Sequence, residues 1–162
     1  MDIAATTAPD ALLEAFATLH PKEQFVSIVA DLVADFGFQC EFPLNHAMVD
    51  GIYVRELFIP KGHFVVGAMH KLPSINLCLR GRIDLLDSEG RRSEVSAPFY
   101  AVSGPGIAKL GVAIEDTIWV NFFKVDARDV ASARAEVAFS NTETLRLLDP
   151  EQKFISKELL CQ

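Results

Sequence analysis

The stretch GHFVVGAMHKLPSINLCLRGRIDLLDSEG, residues 62–90, shows the pattern that decides the fold. Short runs of Val, Ile, Leu and Phe alternate with Gly, Pro and Asp, which is typical of β-strands joined by tight turns. The same pattern extends outward to Phe38 and to about Phe123. We expect strands near residues 52–59, 63–70, 74–79, 82–86, 92–97, 100–102, 108–113 and 117–123. Closely spaced strands of this kind predict a β-sandwich or barrel.

Helical patterns flank the strand segment on both sides. Thr7–Asp10 fits a capping box before a short amphipathic helix, and apolar residues at helical spacing predict a second helix over Glu23–Phe36, ended by Gly37. After Phe123 we expect helices over 125–139 and 142–148. The prediction is one mainly β domain with an N-terminal helical pair (1–38), a barrel (39–124) and a C-terminal helical tail (125–162).

Composition and charge narrow the function classes. The chain has 162 residues, is 50% hydrophobic and carries a net charge of −7 without long blocks of like charge, so binding to a nucleic-acid backbone is disfavoured. Its apolar runs are too short for a membrane span, and its acidic start does not resemble a signal peptide. We expect a soluble, cytoplasmic protein. Cys40, Cys78 and Cys161 form no motif, which indicates neither zinc binding nor disulfides.

Within the strand segment the chain resembles a cupin, a small double-sheeted jelly roll. The first cupin motif, laid on the segment from Gly62 to Gly81, places its metal-ligand positions on Ala68, His70 and Ser74, and the second motif places its histidine on Lys109. The resemblance implies a cupin-type jelly-roll barrel. Because only His70 keeps a ligand type, we expect that the metal site is lost and that no cofactor is bound.

Four shorter stretches carry a narrower resemblance. Residues 51–57, 69–71, 79–82 and 115–119 are similar to small cupin-like proteins of bacteriophages and prophages. This resemblance implies an accessory protein of phage or prophage origin, with a host protein, including a defence component, as a candidate partner.

Side-chain alternation identifies candidate site residues inside the barrel. If His70 points inward, then Ser74, Asn76 and Lys109 share its side, and small residues between them could leave a polar cavity for an anionic ligand. Arg55 and Glu56 are adjacent, so one of them points inward, either in a salt bridge or to anchor a ligand. The ligand-binding candidates are therefore His70, Lys109, Ser74, Asn76 and Arg55. The alternative is that larger side chains fill the space, with Lys109 in solvent and His70 structural.

Two further histidines are weaker candidates. His63 has the opposite strand parity to His70, so the two should face different sides. His46 is predicted in the loop Pro43–His46, where it either lies over the barrel mouth or is a turn residue.

Two functions remain open from the sequence. The first is a non-enzymatic protein that binds a partner protein or a small anionic ligand and has no catalytic residues. The second is a cupin-type enzyme of the isomerase, lyase or dioxygenase class that uses His70 and Lys109. We also expect a homodimer, because strands such as the one beginning at Phe64 are apolar on both faces.

Overall fold

The computed structural model describes residues 3–7, 22–36 and 42–156. Its elements in chain order are β1 (Ile3–Thr7), α1 (Lys22–Phe36), β2 (Leu44–Val49), β3 (Ile52–Ile59), β4 (His63–Val66), β5 (Ser74–Arg80), β6 (Arg82–Asp87), β7 (Arg92–Ser96), β8 (Phe99–Ser103), β9 (Lys109–Ala113), β10 (Thr117–Lys124), α2 (Val130–Val137) and α3 (Asn141–Leu148).

The strands form two five-stranded antiparallel sheets, with orders β1-β4-β9-β6-β7 and β2-β3-β10-β5-β8. The sheets face each other across an apolar layer that joins Val65 and Ile83 of the first sheet to Leu57 and Trp119 of the second. Alternate residues of each strand point into this layer because side chains alternate along a strand. The prediction of a mainly β chain with antiparallel strands is confirmed. The closed barrel and the N-terminal helical pair stay predictions.

Helix α1 covers the outer face of the first sheet. Phe25, Val29 and Leu32 lie on one side of the helix at the spacing of successive turns, and they belong to the same core as Phe64 and Val66 of β4. Both faces of β4 are therefore buried within this chain. The homodimer expected from the two apolar faces of this strand stays a prediction.

Helices α2 and α3 follow the last strand and pack on different core clusters. Asp129 caps α2, and Ser140 and Glu143 form a capping box at α3, so both helices begin where side chains satisfy their first backbone N–H groups. The buried face of α2 packs against Tyr53 and Phe123 of the second sheet. Across the described ranges, no helix is long and apolar enough to cross a membrane.

The sequence prediction lacks two strands. β1 lies in the segment assigned to helices, and β2 replaces the loop that was expected around His46. In β2, Leu44, His46 and Met48 are half-buried while their neighbours are exposed, which is the alternation of a strand. Asn, His, Ala and Met are weak strand formers, so β2 depends on its pairing with β3.

Two predicted boundaries also change. β4 ends at Val66 instead of continuing to His70, which forms only an isolated bridge with Ala138. Helix α2 begins at Val130 instead of 125, directly after Asp129, whose side chain caps it. The short helix expected after Thr7–Asp10, together with Cys40 and Cys161, lies outside the described residues.

Candidate functional site

A cavity of about 60 Å³ lies between the two sheets. Strands β3, β5 and β10 of the second sheet form one wall, and β6, β9 and the segment after β4 form the other. Most of the lining is aliphatic, together with the ring of Trp119. The polar side chains that line the cavity are those of Arg55, His70, Asn76, Ser103, Lys109 and Asn121.

The strand register places polar side chains in one row across the inner face of the second sheet. Asn76 is paired with Asn121, Asn121 with Arg55, and Arg55 with His46. Directly paired residues of antiparallel strands point to the same face. The row thus crosses the sheet from β5 to the edge strand β2. It creates a polar band inside a layer that is otherwise apolar.

Hydrogen bonds connect this row to Lys109 of the opposite sheet. Asn121 Nδ2 donates to Asn76 Oδ1 at 2.6 Å, and Asn76 Nδ2 donates to Ser103 Oγ at 2.9 Å. Lys109 Nζ donates to the same Ser103 Oγ at 2.7 Å. Ser74 Oγ contacts Asn76 Oδ1 only at 3.5 Å. Ser103, on the edge strand β8, therefore joins the two walls of the cavity.

Lys109 is a half-buried cation. Its Nζ lies 6.0 Å from the centroid of the Trp119 ring, a cation–π arrangement at the limit of the usual distance. Burial lowers the pKa of Lys109, and the positive charge of Arg91 lowers it further. The negative charge of Asp87 raises the pKa and so partly opposes these two effects. The Asp87 carboxylate itself accepts hydrogen bonds from the Arg91 backbone and guanidinium. Lys109 is therefore partly shielded from solvent, and its role as a ligand contact stays a prediction.

The opposite end of the polar row is packed against aromatic rings. His46 Nδ1 and the Tyr53 hydroxyl are 2.8 Å apart, and the His70 ring lies edge-on to Phe123 with centroids 4.9 Å apart. Burial, followed by the charges of Arg134 and Arg55, lowers the pKa of His46. A space of about 20 Å³ at this end is lined by Arg55, His70 and Arg134. This end of the interior is therefore also rich in basic side chains.

An outer groove of about 470 Å³ adjoins the cavity. Lys109, Ser103 and Trp119 line both spaces, so the amine of Lys109 lies near the boundary between them. The two arginines of the groove are paired within the protein: Arg91 with Asp87 and Glu89, and Arg92 with Asp84. The basic groups of this groove are thus largely neutralised.

The residues at the cupin ligand positions do not fit a divalent metal. A catalytic metal needs about three His or carboxylate ligands. Ala68 offers no donor atom, Lys109 carries a basic amine, and Ser74 is not among the lining residues, which leaves His70 as a single ligand. In the part of the chain that the structure describes, no group of three or more His, Cys, Asp or Glu side chains could hold a metal ion.

Four of the five residues proposed as ligand contacts, namely His70, Lys109, Asn76 and Arg55, line one cavity. Ser74 is buried beside Asn76 but is not among the lining residues, and the ligand-binding role of all five stays a prediction. Arg55 is the inward member of its pair with Glu56, whose carboxylate accepts from exposed Asn45.

Two polar residues of the cavity, Asn121 and Ser103, were not predicted from the sequence. Asn121 had a signal, since it is a polar residue amid the apolar residues of β10 and shares strand parity with Trp119. His63 is not among the lining residues and packs against Phe42. Its strand parity is that of Val65, which lines the cavity, so parity relative to His70 did not give its side. Glu115 and Asp116 are exposed in the turn before β10.

Comparisons with known proteins find a likeness in fold. No protein-family model matches the chain, and no curated protein matches it. Among solved structures, KdgF from a Halomonas species is 16% identical with a TM-score of 0.46, covering 54% of this chain and 81% of its own. Ectoine synthase from P. lautus is 11% identical with a TM-score of 0.49 (60% and 74% covered). A cupin-superfamily protein from Desulfitobacterium hafniense is 10% identical with a TM-score of 0.46 (76% and 99%). These proteins resemble the chain in fold only.

Proposed function

We propose that this protein binds a small anionic molecule in the cavity between its sheets. The observation that carries the proposal is the charge of the lining: Arg55 and Lys109 are basic, and no Asp or Glu is among the described lining residues. Charges attract more strongly where water is excluded, so a buried anion would gain more from these cations than an anion at the surface. Binding would also raise the lowered pKa of Lys109, since an opposite charge favours the ammonium form.

The size of the cavity limits the ligand. A space of about 60 Å³ holds roughly four to six water-sized groups, taking about 10–15 Å³ for each. Acetate, lactate and comparable short carboxylates have this size. A longer ligand would extend past Lys109 into the outer groove. The polar row supplies amide groups that could orient such a ligand, while the aliphatic lining suits its carbon atoms.

Titration calorimetry near pH 7 tests the proposal with acetate, lactate, phosphate and the neutral acetamide. We expect at least one short anion to bind, with acetamide at least tenfold weaker. Lys109→Met should weaken anion binding at least tenfold, whereas the matched variant Lys124→Met, at an exposed position, should leave it unchanged. The proposal is wrong if no anion gives heat, or if acetamide binds as well as acetate.

A second variant tests the location of the site. Ala68 is buried and lines the cavity, so Ala68→Leu places additional carbon atoms in the empty space. We expect the variant to lose anion binding and to stay folded, because the added carbon atoms occupy the cavity and overpacking costs only about 1–3 kcal/mol. Anion binding that survives in folded Ala68→Leu would place the site elsewhere.

An accessory role through binding follows from this proposal. A phage origin and a host-protein partner rest on the sequence resemblance alone.

The second candidate function is that of an enzyme. One observation favours it: the imidazole of His70 and the amine of Lys109 line the same cavity, as a proton-transferring pair would. Proton NMR of short carboxylates and oxo acids incubated with the protein separates the two functions. Product formation that disappears in His70→Asn supports the enzyme, and unchanged spectra support binding.

A further inference from the structure

We propose that Lys109 forms an imine with a small 2-oxo acid held in the cavity. The inference rests on the proposed function, because the carboxylate of the oxo acid is the anion that the cavity would bind. It adds a covalent step and names the ligand class, a short chain that carries both a carboxylate and an adjacent ketone.

The position of Lys109 separates it from the other described lysines. Lys61, Lys71, Lys124 and Lys153 are exposed, whereas Lys109 is half-buried and lines the cavity. Its Nζ has one hydrogen-bond partner in the described part of the chain, the hydroxyl of Ser103, and no carboxylate there lies within ion-pair distance. A hydroxyl stabilises an ammonium group less than a carboxylate does, because it carries no charge.

The environment makes the neutral amine of Lys109, which is the nucleophile, easier to form than that of an exposed lysine. Burial lowers the pKa of Lys109, and the negative charge of Asp87 does not cancel this effect. Lysines that act as nucleophiles are activated in the same way, by desolvation in a largely apolar pocket. The aliphatic lining limits the water that would hydrolyse an imine.

The reaction balances without any further reactant. The Nζ lone pair attacks the ketone carbon, a C–N bond forms, and the carbonyl electron pair moves to oxygen. Nζ loses two protons in all, the oxygen leaves as water, and a C=N bond remains. The Ser103 hydroxyl, 2.7 Å from Nζ, is positioned to pass one of these protons. Arg55, on the opposite wall, supplies positive charge for the carboxylate.

Reductive trapping tests the inference. The full chain is incubated with pyruvate and sodium cyanoborohydride, which adds hydride to the imine carbon and leaves a stable secondary amine. Intact-mass and peptide analysis then locate the adduct. We expect at least tenfold more adduct on Lys109 than on Lys61 or Lys124, and no adduct at position 109 in Lys109→Arg. Excess lactate, which lacks the ketone, should suppress the adduct.

The outcomes separate this inference from the proposed function. If lactate binds and pyruvate leaves no adduct on Lys109, the imine is wrong and the anion site stands. Adducts spread evenly over exposed lysines also overturn the imine. If neither lactate nor pyruvate binds and no adduct forms, both proposals fail.

Discussion

Replacing Leu32 with Ala tests whether α1 is part of the folded core. Leu32 is 6% exposed and belongs to the core that α1 forms with β4 and β9. The change removes three carbon groups, which corresponds to about 2.4 kcal/mol of lost burial at roughly 0.8 kcal/mol for each. The unfilled space adds to this loss, so the total destabilisation should lie between about 2 and 5 kcal/mol.

The measurement is urea unfolding followed by circular dichroism. We expect Leu32→Ala to lower the midpoint without changing the slope, since the slope reports the surface exposed on unfolding. Asp31→Ala is the matched control, because Asp31 precedes Leu32 on the exposed side of α1 and should change stability by less than about 0.5 kcal/mol. A loss below about 1 kcal/mol for Leu32→Ala would refute the reasoning and imply that α1 is detachable. Anion binding by the folded variant should not change, because Leu32 does not line the cavity.

Three further results are expected. Asn121→Ala should cost about 1–3 kcal/mol in urea unfolding, because it removes a buried donor to Asn76, and a loss no larger than that of exposed Asn45→Ala would contradict the network. The unfolding temperature should fall as the pH is lowered from 7 to 5. In the unfolded chain His46 takes up a proton at its ordinary pKa of 6.5, whereas in the folded protein this pKa is lower, so protonation favours the unfolded chain. An equal fall in His46→Gln would contradict this explanation. We still expect a homodimer, now through the outer face of the second sheet, where Val102 is 72% exposed; light scattering that shows a monomer would oppose it.

Local patterns predicted most of the strands and the helix α1. β3 matches its predicted bounds, and α1 differs by one residue at its start, because runs of apolar residues and flanking turn residues act over short distances. β2 was missed because Asn45, His46 and Ala47 have little intrinsic preference for a strand. Its conformation depends on β3, a partner that a local pattern does not identify.

The sequence by itself also determined which residue types could form the site. Strand parity gave Asn76 and Lys109 a defined face within their own strands. His70 shares the parity of Phe64 and Val66, which face α1, and it lines the cavity because β4 ends at Val66. Only the tertiary structure decided that Ser103 and Asn121 join them, since Lys109 lies in one sheet while Asn76 and Asn121 lie in the other. The physical reason is that parity gives the face of each strand, whereas strand order and the packing of the sheets decide which faces meet.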